Sequence, residues 1–470
     1  MKKQTFTLLL LSFFAFTLQA QYSGNTLALN GFDYVTVPDN SNGSLDMGIG
    51  FSIETWVKLS NSLNDQKIVN KADVTFVNAY ILGVENGLVK FEVFDDNGVQ
   101  TVLQQGVVAS GVWAHLAVTY EVGGFMRIYV NGELAGETAA SADAHDYTLN
   151  DLVIGAASWD PIYFLVSGSI DEVRFYQDVL SQQTIKDWML LYVNDTHPNY
   201  AALTMYLKAN EGSGVNLNSE TGQNGGSHSN GSGWAASTAP FKGDFAFFPP
   251  DNALGGIWPG HPMATADLLT LENANLAGDQ SIIFGDDTYG YDFFPEAPTG
   301  YDKSLAKVWR TAVQGPTAAN ASFDLTPIDL TMVEEVVLLE SDDYEFSVSS
   351  VISGTWAGNT FTASSVQFKN NFYYTLGFKQ MSSATDEQTV PKFALEATPN
   401  PSSGQFLLNW NQEVKDAHVL VQDLNGRTLM ENTAGNGMQT EINLSHLPVG
   451  LYLVRLSTAE QSAVCRVQKQ

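Results

Sequence analysis

Seven histidines, one cysteine and 51 acidic side chains are this chain's stock of groups for catalysis or metal binding, and their spacing decides what they can do. The histidines are scattered singly. No His-Glu-x-x-His and no zinc spacing occurs, so His115, His145, His261 and His418 read as strand or loop residues. Gly212-Ser213-Gly214 and Gly231-Ser232-Gly233 lie in turn-rich sequence, not on a strand-to-helix elbow that would expose a nucleophilic serine. Cys465 alternates with Ala463 and Val467, which makes it a structural thiol of a strand. Glycosidic hydrolysis needs two carboxylates facing each other across the bond. No Glu-x-Asp-x-x-Glu run supplies them, and the neighbours Asp171 and Glu172 would point to opposite faces of a regular strand. The acidic clusters GDDTYGYD (285–292) and ESDDYE (340–345) bring several oxygens together, as metal loops do. Neither follows the twelve-residue calcium-loop pattern, and solvated turn acids are the favoured reading.

Composition sets the frame for these groups. A chain of 470 residues exceeds what one core organises, so two to four domains are expected. Short alternating runs rich in Val, Thr, Tyr and Phe indicate an all-β protein. A formal charge of −29 repels phosphate backbones and anionic lipid, which argues against nucleic acid as a partner. The opening MKKQTFTLLLLSFFAFTLQA (1–20) has two lysines, an apolar run and a small terminal residue, the layout of a secretory signal peptide. Nothing later approaches about 20 consecutive apolar residues, so no transmembrane helix is expected. A single cysteine excludes an intramolecular disulfide.

Residues 22–242 read as the first domain. FSIETWVKL (51–59) puts Phe51, Ile53, Val57 and Leu59 on one face of a half-buried strand, with Ser52, Glu54 and Lys58 on the other. VWAHLAVTY (112–120) and FMRIYV (125–130), followed by Asn131-Gly132, form successive hairpins. GSIDEVRFYQDVLS (168–181) is a strand followed by a short helix that Ser181 caps. Together these stretches resemble the laminin-G-like (concanavalin-like) jelly roll of secreted bacterial proteins. LTMYLKANEGSG and the following Gly/Ser/Asn-rich sequence (203–241) are similar to strands and turns of the same fold. The resemblance implies a structural Ca²⁺ held by the carboxylate of Asp171 and backbone carbonyls around Asn30 and Gly31. It also implies a carbohydrate groove in which aromatic rings stack on sugar faces. Trp113, Trp159, Tyr163 and Trp188 are available, and Trp159 with Tyr163, in the loop SWDPIY, are the expected ligand-binding residues.

A Pro/Gly/aromatic-rich stretch then marks a boundary, and strands at sandwich-like spacing fill 244–380. This region looks like a module that follows such jelly rolls in large bacterial surface proteins; no activity follows from that similarity. Residues 381–390 are polar and unpatterned, a linker. From 391 to 470 come Pro399-Asn400-Pro401, a strand with Phe406, Leu408 and Trp410 on one face, a hairpin at DLNGR (423–427), LPVGLYLVRL and a basic-ended last strand. These features resemble the type A sorting domain of the type IX secretion system. The resemblance implies passage through the periplasm, recognition by the type IX machinery, removal of the tail, and release or surface attachment. The overall expectation is an all-β secreted or surface protein: a laminin-G-like jelly roll, a second β-sandwich and a small sorting sandwich. It would be non-catalytic and bind a polysaccharide or cell-surface glycan. A glycoside hydrolase with acids on separate strands and a plain spacer are the alternatives.

Overall fold

The computed structural model describes residues 24–46, 48–143, 148–229, 233–241, 255–287, 290–294, 297, 300–381, 393–423, 427–434, 436–458 and 461–470. The leader 1–20, His145, Gly231-Ser232, linker residues 382–390 and the 424–426 tip of the DLNGR hairpin lie outside them.

Two antiparallel sheets form the jelly roll. The first runs Glu133–Ala139, Phe125–Val130, Trp113–Glu121, Gly50–Leu59, Ser167–Tyr176, Asn25–Asn30, Trp234–Ala236, with Leu203–Leu207 also paired to Ser167–Tyr176. The second runs Asn216–Leu217, Gly226–His228, Val35–Val37, Leu152–Ile154, Gln66–Lys71, Ala79–Glu85, Leu88–Phe94, Gln100–Val107. The segment after Leu203 therefore feeds strands into both sheets. Inward residues such as Phe51, Ile53, Val57, Tyr80, Leu82, Phe91, Leu116 and Phe175 make one core between them. The turn Asn131-Gly132 has φ of 52° and 78°, the left-handed pair a tight two-residue hairpin requires. Ser181 caps the helix Gln182–Trp188 by accepting from the Thr184 amide.

Two sequence expectations change here. The strand Gly50–Leu59 is not half-buried: every residue except Lys58 is buried, because its outer face is covered as well. On the strand Ser167–Tyr176 the pairing shifts register between Asp171 and Arg174, and Glu172 has φ of 54°. Ile170, Val173 and Phe175 all reach the core, so one extra residue is accommodated at 171–172. This β-bulge abolishes the simple alternation that separated Asp171 from Glu172.

The middle sandwich packs Trp309, Phe323, Leu338, Phe361 and Leu376 between its two sheets. It is joined to the jelly roll by a second apolar cluster that includes Trp56, Trp113, Trp258 and Ile283. Trp258 Nε1 donates to the Trp113 carbonyl at 3.1 Å, and its ring meets that of Trp56 at 5.2 Å. The C-terminal sandwich has a three-stranded and a four-stranded sheet, with Phe406, Leu408 and Trp410 in its core as their alternation requires. No described helix is long and apolar enough to cross a membrane.

Candidate functional site

Asn30 and Gly31 end the first strand, where Asn30 pairs with Ser167 and the Gly31 amide donates to the Val166 carbonyl at 3.0 Å. Asp171 lies four residues further along the partner strand, roughly 13 Å away at the usual rise of an extended chain. Its carboxylate is fully buried and accepts from the Ser237 hydroxyl at 2.5 Å and from the Glu172 amide at 3.0 Å. Asp171 and the carbonyls at Asn30 and Gly31, the ligand set that the resemblance implied, lie at opposite ends of this strand pairing. The Ser237 hydroxyl and the Glu172 amide donate to the carboxylate, and burial pushes its pKa well up.

Asp171 belongs to a buried polar cluster under the helix Gln182–Trp188 and the turn that follows it. Arg174 is its hub, donating to Glu172 at 2.8 Å, to the Trp188 carbonyl at 3.0 Å and to the Leu191 carbonyl at 2.6 Å. The Tyr206 hydroxyl donates to the same Glu172 oxygen at 2.5 Å. Glu54 lies 3.8 Å from both Arg174 and His115, and burial raises its pKa to about 7. Burial holds His115 well below the ordinary histidine value. These acids are close together, yet Glu54, Asp171 and Glu172 are each at most 1% exposed. A polysaccharide chain has no access to them.

The acidic turns are likewise engaged. Asp286 pairs with Lys307 at 2.8 Å, Asp287 accepts from the Tyr344 hydroxyl at 3.0 Å, and Glu340 pairs with Lys369 and accepts from Tyr374. Among the described residues no group of three or more His, Cys, Asp or Glu is placed to hold a metal ion.

The aromatic candidates separate by environment. Trp113 is buried between sandwiches with its indole donating to Thr238, and Trp188 packs edge-on to His197. Trp159 and Tyr163 instead lie on the outer side of the second sheet, in a loop pinned from beneath. The fully buried Asn70 side chain donates to the carbonyls of Val153 and Ala156, at 3.2 and 2.7 Å, and accepts from the Ser158 amide. Ser158 then exchanges hydrogen bonds with the Ala72 backbone. The Tyr163 amide donates to the Asp160 carbonyl and the Ala157 amide to the Tyr163 carbonyl, closing the tip.

Around Trp159 the structure gathers rings that were not singled out from the sequence. Phe76 meets it at 5.0 Å and Phe164 at 5.9 Å, Phe94 packs on Phe76 at 5.3 Å, and Tyr163 adjoins Phe164 at 6.4 Å. Ala72, Ala79 and Ile81 floor the cluster. Its rim stays open: Tyr163 is 55% exposed, Ile162 69% and Val74 75%. The signal for Phe94 lay in its alternation with Val89, Phe91 and Val93, which point inward. Phe164 shares the loop of Trp159, and Phe76 is a residue of a distant loop brought in by the fold.

Beside the rings, outward positions of the same sheet carry a polar ladder. Lys67 pairs with Asp65 at 2.7 Å and lies 4.9 Å over the Phe164 ring; Lys90 bridges Glu85 and Glu92 at 3.0 and 3.5 Å; Gln100 donates to Glu92 at 2.7 Å. Of these groups Lys67 and Glu92 are buried, whereas Lys90 is partly exposed and Gln100 is exposed.

Residues 29–186 match the family model described as the concanavalin A-like lectin/glucanases superfamily, and residues 397–470 match that of the secretion system C-terminal sorting domain. The chain thus carries a concanavalin-like, laminin-G-like jelly roll and a type IX sorting domain, and the latter directs it to the cell exterior or surface. Among solved structures, a candidate carbohydrate binding protein from Bacteroides ovatus is 19% identical, covering 47% of this chain and 62% of its own, with a TM-score of 0.38. Domain 4 of an arabinanase from Geobacillus stearothermophilus, in complex with arabinotriose, is 21% identical over 34% of this chain and 75% of its own, with a TM-score of 0.28. A heptameric pentraxin from Limulus polyphemus is 14% identical over 38% and 86%, with a TM-score of 0.29. At these values the likenesses carry no argument about ligand. Among curated proteins none matches the chain.

Proposed function

We propose that this is a non-catalytic glycan-binding protein, exported through the type IX machinery, which uses the outer face of its second jelly-roll sheet to hold a polysaccharide or cell-surface glycan. The observation that carries the reading is the cluster of Trp159, Tyr163, Phe164 and Phe76, its loop tied down through Asn70 and Ser158, left open to solvent and flanked on the sheet by Lys90 and Gln100. A spacer has no use for ring faces fastened at its surface. Against the hydrolase alternative stands the sealing of Glu54, Asp171 and Glu172. Calcium through Asp171, Asn30 and Gly31 is not part of the proposal.

The test is a glycan array probed with the full chain, with and without Ca²⁺, followed by affinity electrophoresis in gels containing any retained polysaccharide. Binding that Trp159→Ala and Tyr163→Ala abolish supports the reading. An array on which nothing is retained favours the spacer, and release of reducing sugar would establish an enzyme.

A further inference from the structure

The strands Gly450–Ser457 and Ser462–Lys469 form a hairpin with an apolar inner face and three aliphatic side chains on its outer face. Tyr452, Val454, Leu456, Ala463 and Val467 fill the core of the C-terminal sandwich. By alternation Leu451, Leu453, Val464 and Arg466 point the other way, with Leu453 opposite Arg466 in the register. On a free tail these residues would face water, an unfavourable arrangement for three aliphatic side chains.

They are covered by the middle sandwich. Leu451, Leu453 and Val464 pack on Phe294 and Ala306. The Arg466 guanidinium lies between two rings, 4.0 Å from the centroid of Phe294 and 4.7 Å from that of Tyr344. Its two terminal nitrogens donate to the Tyr344 carbonyl at 3.2 Å and the Ala306 carbonyl at 3.1 Å. Tyr344 is itself braced, its hydroxyl bonded to the buried Asp287 and its ring against Tyr373 at 5.7 Å. A cleft of about 740 Å³ continues beside the contact.

Two ring faces and two carbonyls converging on one cation are a seat for a planar fork of donors, which arginine fills and lysine does not. We infer that the middle sandwich is the intramolecular receptor of the sorting domain, with Arg466 as its latch: docked, the module covers the Leu451, Leu453, Val464 and Arg466 patch on the outer face of the terminal hairpin, and undocking uncovers it. This gives the middle module a role independent of what the jelly roll binds.

The experiment uses the full-length chain with Val464→Cys and Cys465→Ser, so that its one thiol sits in the contact. Maleimide labelling of this parent should be slow, should rise at least tenfold with Arg466→Ala added, and should rise less with Arg466→Lys. Phe294→Ala, which alters only the receptor side, should match Arg466→Ala, so misfolding of the tail cannot explain the change. Small-angle scattering should report a larger radius of gyration for both. A parent that labels as fast as an exposed thiol, or variants that leave slow labelling and the scattering profile unchanged, would overturn the inference.

Discussion

Burial holds the Glu54 carboxyl protonated up to about pH 7, whereas in the unfolded chain it ionises near its ordinary 4.5. The folded state therefore keeps the proton between these values, and the associated stability is complete below about 4.5 and lost as pH rises through 7. The loss is on the order of 3 kcal/mol at about 1.4 kcal/mol per pH unit. Asp171 and Glu172, pushed up by the same burial, act in the same sense. Glu54→Gln carries no charge to bury, so its melting temperature should fall less than the parent's between pH 5 and 8; parallel curves by scanning calorimetry would contradict this. At the ring cluster around Trp159 the expectation differs in kind. Trp159 is partly exposed at the rim of a cluster, so Trp159→Ala should weaken glycan binding at least tenfold while the melting temperature moves by only a few degrees. A large loss of stability with binding intact would make the ring structural.

Backbone geometry sets the outcome at the level of the strand. Gly168 has φ of 148°, and a Cβ there would come within 2.2 Å of the Lys58 carbonyl oxygen on the neighbouring strand. Gly168→Ala should destabilise the jelly roll by about 1–3 kcal/mol, read as a lowered midpoint in urea. An unchanged midpoint would mean that the pairing of these strands gives way easily. The bulge three residues on brings Glu172 into the same buried cluster as Asp171, whose carboxylate accepts from Ser237, while Asn30 stays at the far end of the register. Adding Ca²⁺ to chelator-treated protein should leave its melting temperature where it was, and a rise of several degrees would restore a metal at this strand pair. None of this was legible in GSIDEVRFY, because a bulge depends on which partner residues the strand meets.

For the whole molecule, the tail is the address, and removing residues 391–470 should leave the protein in the periplasm, with surface appearance assayed by protease shaving of intact cells; undiminished appearance would refute the assignment. That part was readable from the chain alone: Pro399-Asn400-Pro401, LPVGLYLVRL and a basic last strand are local patterns, and alternation over 51–59 and 405–414 placed Phe51, Ile53, Phe406 and Trp410 in cores. Period-two patterning is a short-range property, so sequence carries it. It tells which side of a strand is apolar, not what lies over the other side. Glu54 and Trp56 belong to an outer face that reads as solvent-facing, yet the helix Gln182–Trp188, the turn after it and Trp258 of the next sandwich seal it. Phe76 and Phe94 join Trp159 and Phe164 only because a loop and a strand distant in the chain from them converge on one sheet. The amino-acid sequence by itself determined the β-sandwich class and the export address. Tertiary structure alone decided which outer faces are covered and which ring cluster stays open, because cover comes from segments far apart along the chain.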